Sequence, residues 1–168
     1  YTKVLALEPG DAPAILALEE LFTRTQRWTD LIGVIERRVE QTSDADEREA
    51  LLVRIANIYD GSLGKPEEAI SAYKKVLELD LSNSRALHAL DALYTRQKLW
   101  ADLAENLEAQ LALSNDDTEQ LQIMLRLASL REREMSQVEQ AIEGYRSVLE
   151  RDAGSVEALS ALERLGTD

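Results

Sequence analysis

The 168-residue chain contains no cysteine. That excludes a disulfide framework, thiolate metal sites and cysteine nucleophiles, and leaves the redox compartment open. Its single histidine, His88, cannot form a paired-histidine zinc site or a histidine relay. Three prolines, seven glycines and few aromatics (two Trp, five Tyr, one Phe) argue against turn-rich all-β folds, which draw on all three. Basic residues number 19 against 32 acidic ones, for a formal charge of −13. A phosphate backbone or an anionic lipid surface would be repelled, so neither nucleic acid nor membrane is an expected partner. No apolar run reaches the roughly 20 residues of a membrane-spanning helix. What is present, 45% hydrophobic and 30% charged residues, is the composition of a packed helical protein rather than a disordered one.

The strongest signal is internal repetition. A shift of 72 residues aligns Tyr1-Thr-Lys-Val-Leu with Tyr73-Lys-Lys-Val-Leu and with Tyr145-Arg-Ser-Val-Leu, and residues 1–72 match 73–144 at 22 positions without gaps. Trp28/Trp100, Asp44/Asp116, Arg54/Arg126, Ala56/Ala128 and Ala69/Ala141 are among them. Each unit divides again. Tyr1, Ile35, Tyr73, Leu107 and Tyr145 hold equivalent places, separated by 34, 38, 34 and 38 residues. A step near 34 residues is that of a helix–turn–helix repeat.

Apolar periodicity predicts helices over 1–8, 12–25, 28–42, 45–61, 66–80, 83–96, 100–113, 117–134, 136–151 and 155–165. Leu51, Leu52, Ile55 and Ile58 share one face, and Tyr73, Val76 and Leu77 repeat the pattern. Asp44 with Glu47, Asp116 with Glu119 and Ser136 with Glu139 have capping-box spacing, and Asn83 and Pro66 suit helix starts. The expected fold is all-α, an α-solenoid of helical hairpins forming a superhelix over 1–168 as a single domain. Four full hairpins would be flanked by half-hairpins, as expected of a fragment of a longer array.

These residues resemble the tetratricopeptide repeat family. Ile55-Ala56-Asn57-Ile58-Tyr59 is similar to its Leu-Gly-x-x-Tyr segment, Ala69–Tyr73 and Ala141–Tyr145 to its Ala-x-x-x-Phe segment, and Val4–Pro9 to its closing turn. Alternate units depart from the pattern. Acidic Glu19 and Asp91 stand where a small residue is usual, and Leu31 and Leu103 replace a small alanine. Ala56, Ala69, Ala128 and Ala141 read as close-approach positions, so Ala69→Leu and Ala141→Leu should overpack. Glu19 is expected at a loosened, accessible edge, where replacement by alanine is mild. Some family members grip a terminal carboxylate with lysines and asparagines; here only Asn57 and nearby arginines resemble that set.

Catalytic chemistry finds no foothold. Asp44-x-Asp46 and Asn115-Asp116-Asp117 lack the glycine and distant glutamate of a calcium loop. Gly61 and Gly64 are not followed by the Lys-Ser/Thr of a phosphate loop. No cofactor and no enzymatic activity are expected.

A solenoid offers instead the surface lined by the first helix of each repeat. The positions opposite the core stripe include Arg24, Arg54, Asn57, His88, Arg96, Arg126, Ser129 and Arg133. This strip is basic within an acidic chain, which suits a protein or peptide partner carrying carboxylates. The alternative is that the arginines pair with acids such as Asp60, Glu132 and Glu134. Because they lie off the core stripe, Arg54→Glu with Arg126→Glu is expected to spare the fold while abolishing capture. The expected function is a non-catalytic interaction scaffold. A structural spacer self-associating through its ends, or a regulatory array attached to an enzyme outside the sequence, are the alternatives.

Overall fold

The computed structural model describes residues 12–166. Nine α-helices follow one another among these residues: α1 (Ala12–Arg24), α2 (Trp28–Gln41), α3 (Ala45–Asn57), α4 (Pro66–Leu79), α5 (Ser84–Gln97), α6 (Trp100–Leu113), α7 (Asp117–Arg133), α8 (Val138–Arg151) and α9 (Val156–Arg164). The fold is an all-α helical-repeat solenoid, with α1–α2, α3–α4, α5–α6 and α7–α8 as successive hairpins. The helix expected over 1–8 and the closing turn at Val4–Pro9 lie outside the described residues.

Caps set several of the starts. The Asp44 side chain accepts from the amides of Asp46 and Glu47, and Asp116 accepts from Glu119. The reciprocal half of each box is relayed. The Asp44 amide donates to the Thr42 hydroxyl, which donates to Glu47, and Asp116, Ser114 and Glu119 repeat the relay 72 residues on. The Thr42 hydroxyl and then Arg38 hold the Glu47 carboxyl below the usual range.

Two expected boundaries are corrected. The helix read as 45–61 is α only to Asn57 and continues as one π turn, Ile58–Ser62, in which Leu63 donates to the Ile58 carbonyl and Lys65 to that of Tyr59. Gly64 (φ 62°) ends it in the left-handed region that glycine enters freely. The second repeat ends the same way, with Met135 donating to Leu130 and Gln137 to Arg131. There Ser136 holds the left-handed place at φ 56°, so it cannot cap α8, which starts at Val138.

By packing the chain falls into two compact units, Tyr1–Ala86 and Leu87–Asp168. The division falls inside α5, so no linker marks it. In the first unit Leu18, Phe22, Leu31, Ile35, Ile55, Ala56, Ala69, Tyr73 and Val76 are buried. The second buries Leu90, Leu103, Leu107, Leu127, Ala128, Ala141, Tyr145 and Val148. The equivalent positions read from the 34/38 rhythm, Ile35, Tyr73, Leu107 and Tyr145, are thus core in both units. Full burial of such side chains contributes about 1.5–3 kcal/mol each relative to exposure. The small residues do allow close approach: a Cβ on Gly144 would stand 2.9 Å from that of Ala128, so α8 lies against α7 with no room for a methyl.

Candidate functional site

The first-helix face is built around buried carboxylates. Glu19 in α1 is only 6% exposed. Its Oε1 accepts from Arg38 Nη1 of α2 at 2.9 Å, and its Oε2 from Arg54 Nη1 of α3 at 2.5 Å. Arg38 also donates to Glu47 at 2.6 Å. The expectation that Glu19 sits at a loosened edge is therefore wrong: a charge this buried is tolerated because two guanidiniums surround it.

The second unit repeats the arrangement 72 residues on. Asp91 in α5 is 9% exposed and accepts both arms of Arg126 from α7, at 2.6 and 2.5 Å. Gln110, at the place of Arg38, donates to the same carboxylate at 3.3 Å. In both units the departure from the small residue of the pattern is matched by an arginine 35 residues later, one hairpin on. Two observations carried that signal jointly, the acids at 19 and 91 and the arginines at 54 and 126. Read separately, they hid the pairing.

The remaining candidates divide. Asn57 Oδ1 accepts from the Tyr73 hydroxyl at 2.9 Å, which fixes Asn57 at its own hairpin. Ser129 lies beside the Tyr145 hydroxyl. The Tyr145 hydroxyl donates to Glu132 at 2.8 Å; burial, and then Glu132, push that phenol up to about 12. Burial opposes ionisation of Glu132, but Arg164 and Tyr145 together hold its carboxyl below the usual range. Glu132, one of the acids expected to pair with the strip, thus takes Arg164 at 2.6 Å rather than a strip arginine. Arg24, His88, Arg96 and Arg133 are exposed.

Three of the eight candidates are brought together. Arg126, Ser129 and Arg133 line a depression of about 510 Å3 on the second unit with Trp100, Leu103, Leu125, Glu134 and Glu157. His88 and Arg96 lie on α5 without lining it, and Arg24, Arg54 and Asn57 belong to the first unit. The charge of Arg126 is balanced by Asp91, so this depression combines apolar residues with charges of both signs. Among the described residues no group of three or more His, Asp or Glu is placed to hold a metal ion, and no helix is long and apolar enough to cross a membrane.

Models of the tetratricopeptide repeat match residues 14–49, 50–83 and 122–155, together more than half of the chain. The chain belongs to the tetratricopeptide-repeat family. The first match spans most of α1 and all of α2, the second much of α3 and all of α4, and the third most of α7 and all of α8. Anaphase-promoting complex subunit 7 of Arabidopsis thaliana is 29% identical over 98 residues; the match takes in 58% of this tetratricopeptide-repeat chain and 17% of that protein's length. Among solved structures, MamA superposes with a TM-score of 0.52 at 18% identity, covering 88% of this chain and 84% of MamA. YrrB, described as a tetratricopeptide-repeat protein with an unusual peptide-binding site, gives a TM-score of 0.52 at 14% identity over 97% of this chain and 80% of its own. Both likenesses are of fold.

Proposed function

We propose that the chain is a non-catalytic protein-interaction scaffold whose second unit seats a segment of a partner protein on the first-helix face. The depression at Trp100, Leu125 and Arg133 carries this reading. Its volume falls in the range of roughly 300–1,000 Å3 found for ligand-binding clefts. An apolar anchor of the partner would lie on Trp100 and Leu125, and a neighbouring carboxylate would meet Arg133, an exposed lining cation not committed to a buried acid. His88 and Arg96, on α5 of the same unit, would contribute secondary contacts. Peptide binding is described for YrrB; for this chain the reading rests on the depression, because the likeness is one of fold.

A displayed-peptide selection against the whole chain tests it. Selected peptides should pair an apolar residue with Asp or Glu and change Trp100 emission in a Trp28→Phe background. They should lose binding to Gln122→Trp, which fills the depression from an exposed position, and to Arg133→Glu. Peptides that bind both variants as well as the parent would contradict the site. A second reading, an arm that self-associates through α9, is favoured by Val156, which is 74% exposed, and by Leu159 beside it. Sedimentation would then show a concentration-dependent dimer lost in Val156→Asp.

A further inference from the structure

The second helices carry a separate feature. On the first unit, α2 and α4 with α3 between them enclose a groove of about 590 Å3. Val39 and Leu79 supply accessible apolar surface beside the buried Leu52 and Ile55, and Tyr59, in the π turn, stands half-buried at one end. Four carboxylates line it (Glu36, Glu40, Glu68 and Glu78) against two cations. Of those cations, Arg48 spends one arm on the Thr42 carbonyl at 2.6 Å. Among the described residues Glu36 and Glu40 make no ion pair, and Glu68 has only a 3.4 Å contact with Lys65. Burial, and then the carboxylates of Glu36 and Glu68, push the Tyr59 phenol up, which puts both acids at the phenol end of the groove.

The 72-residue duplication gives this groove an internal counterpart. The place of Tyr59 is taken in the second unit by Arg131 and that of Glu36 by Glu108, and Arg131 Nη2 donates to Glu108 Oε1. The places of Arg48 and Leu79 are taken by Gln120 and Arg151, bridged at 2.6 Å. In the second unit the chain's own arginines thus cross this face and satisfy its carboxylate. In the first unit the same carboxylate has no guanidinium, and an aromatic ring replaces the arginine.

We propose that the groove of the first unit docks a partner segment presenting an arginine between apolar side chains, with the guanidinium against Glu36 beside Tyr59 and the apolar neighbours on Val39 and Leu79. Charge complementarity selects the occupant. A guanidinium forks onto carboxylates and also lies favourably on an aromatic ring, which an ammonium does less well. The −13 charge of the chain steers a basic segment toward it. This site differs from the depression of the second unit in face, in unit and in the charge it selects, and stands independently of it.

The test is a fluorescence-anisotropy titration of the whole chain at physiological salt with a fluorescein-labelled Gly-Ser-Leu-Arg-Leu-Ser-Gly peptide. The same peptide with citrulline, the neutral isostere of arginine, is the control. The arginine peptide should saturate, and citrulline should weaken it by about tenfold or more. Tyr59→Arg, which gives the first unit the arginine of the second, should occupy Glu36 from within and cost about tenfold; Glu36→Gln, at an exposed position, should do the same without risk to the fold. Glu20→Gln with Glu105→Gln, which removes two exposed carboxylates elsewhere, should leave binding within about twofold. Absence of saturable binding to the parent would overturn the proposal. So would equal losses in the Glu20/Glu105 control, or full binding by folded Tyr59→Arg and Glu36→Gln.

Discussion

Where the first hairpin meets the second, one buried carboxylate holds two guanidiniums; where the third meets the fourth, one holds a guanidinium and a carboxamide. Glu19 splits its oxygens between Arg38 and Arg54, whereas the shorter Asp91 gives both to Arg126. What the two junctions share is the acid on one first helix and the arginine on the next. The third partner and the side-chain length vary. The comparison teaches that a small residue at the hairpin interface can be replaced by a buried charge when the neighbouring hairpin supplies the counter-charge at the matching place. It also shows that Arg54 and Arg126 belong to the framework. Arg54→Glu with Arg126→Glu would set carboxylate against buried carboxylate and unfold the junctions, so it cannot report on binding alone, contrary to the expectation from sequence.

The largest effect that sharpens this comparison is loss of the Glu19 charge. Glu19→Gln leaves Arg38 and Arg54 facing each other, and should cost on the order of 3 kcal/mol, the lower part of the range for a broken buried pair because Arg54 is 40% exposed. Asp91→Asn strands one guanidinium and keeps the Gln110 contact, so it should cost less. Urea denaturation of the two variants ranks them, and equal costs would break the comparison.

Next comes the close approach of α8 to α7. Gly144→Ala drives a methyl against Ala128 and should destabilise by about 1 kcal/mol net, overpacking outweighing the gain in helix propensity. Ala72→Gly, the same exchange reversed in the first unit, should also destabilise by about 1 kcal/mol, through backbone entropy. Thermal denaturation of each variant checks the pair.

The two buried tyrosines should separate at high pH. Tyr73 donates to a neutral amide and Tyr145 to a carboxylate, and the Tyr145 phenol is raised to about 12. A folded-state value above the unfolded one means the contribution of Tyr145 is complete below about pH 10 and is lost as pH rises through 12. The fall in melting temperature between pH 9 and 11 should therefore shrink in Tyr145→Phe. The smallest effect is at the left-handed turn. Ser136→Gly should stabilise by about 0.5 kcal/mol, read by the same melts.

Much of this was legible in the sequence because duplication repeats a packing solution. Helices, their order, the core at Ile35, Tyr73, Leu107 and Tyr145 and the caps at Asp44 and Asp116 follow from periodicity and local hydrogen bonding. The π turn at Ile58–Ser62 did not, because an i to i+5 bond has no composition of its own and the helix face simply continues through Tyr59. Ser136 was misread for a related reason: capping spacing does not reveal that the residue sits at positive φ. The first-helix face was half legible. Arg54 and Arg126 fall on first helices, as periodicity predicts, but which acid each meets depends on how one hairpin stacks on the next, a distance no local pattern encodes.

The claim that these arginines lock hairpins together rests most directly on a double-mutant cycle at Asp91 and Arg126, with Asp91→Asn, Arg126→Gln and the pair measured by urea denaturation. The account predicts a coupling of about 1 kcal/mol or more, since the double replacement removes the buried Asp91 charge together with the half-exposed guanidinium that serves it. Additive losses, with a coupling inside about 0.5 kcal/mol, would contradict it.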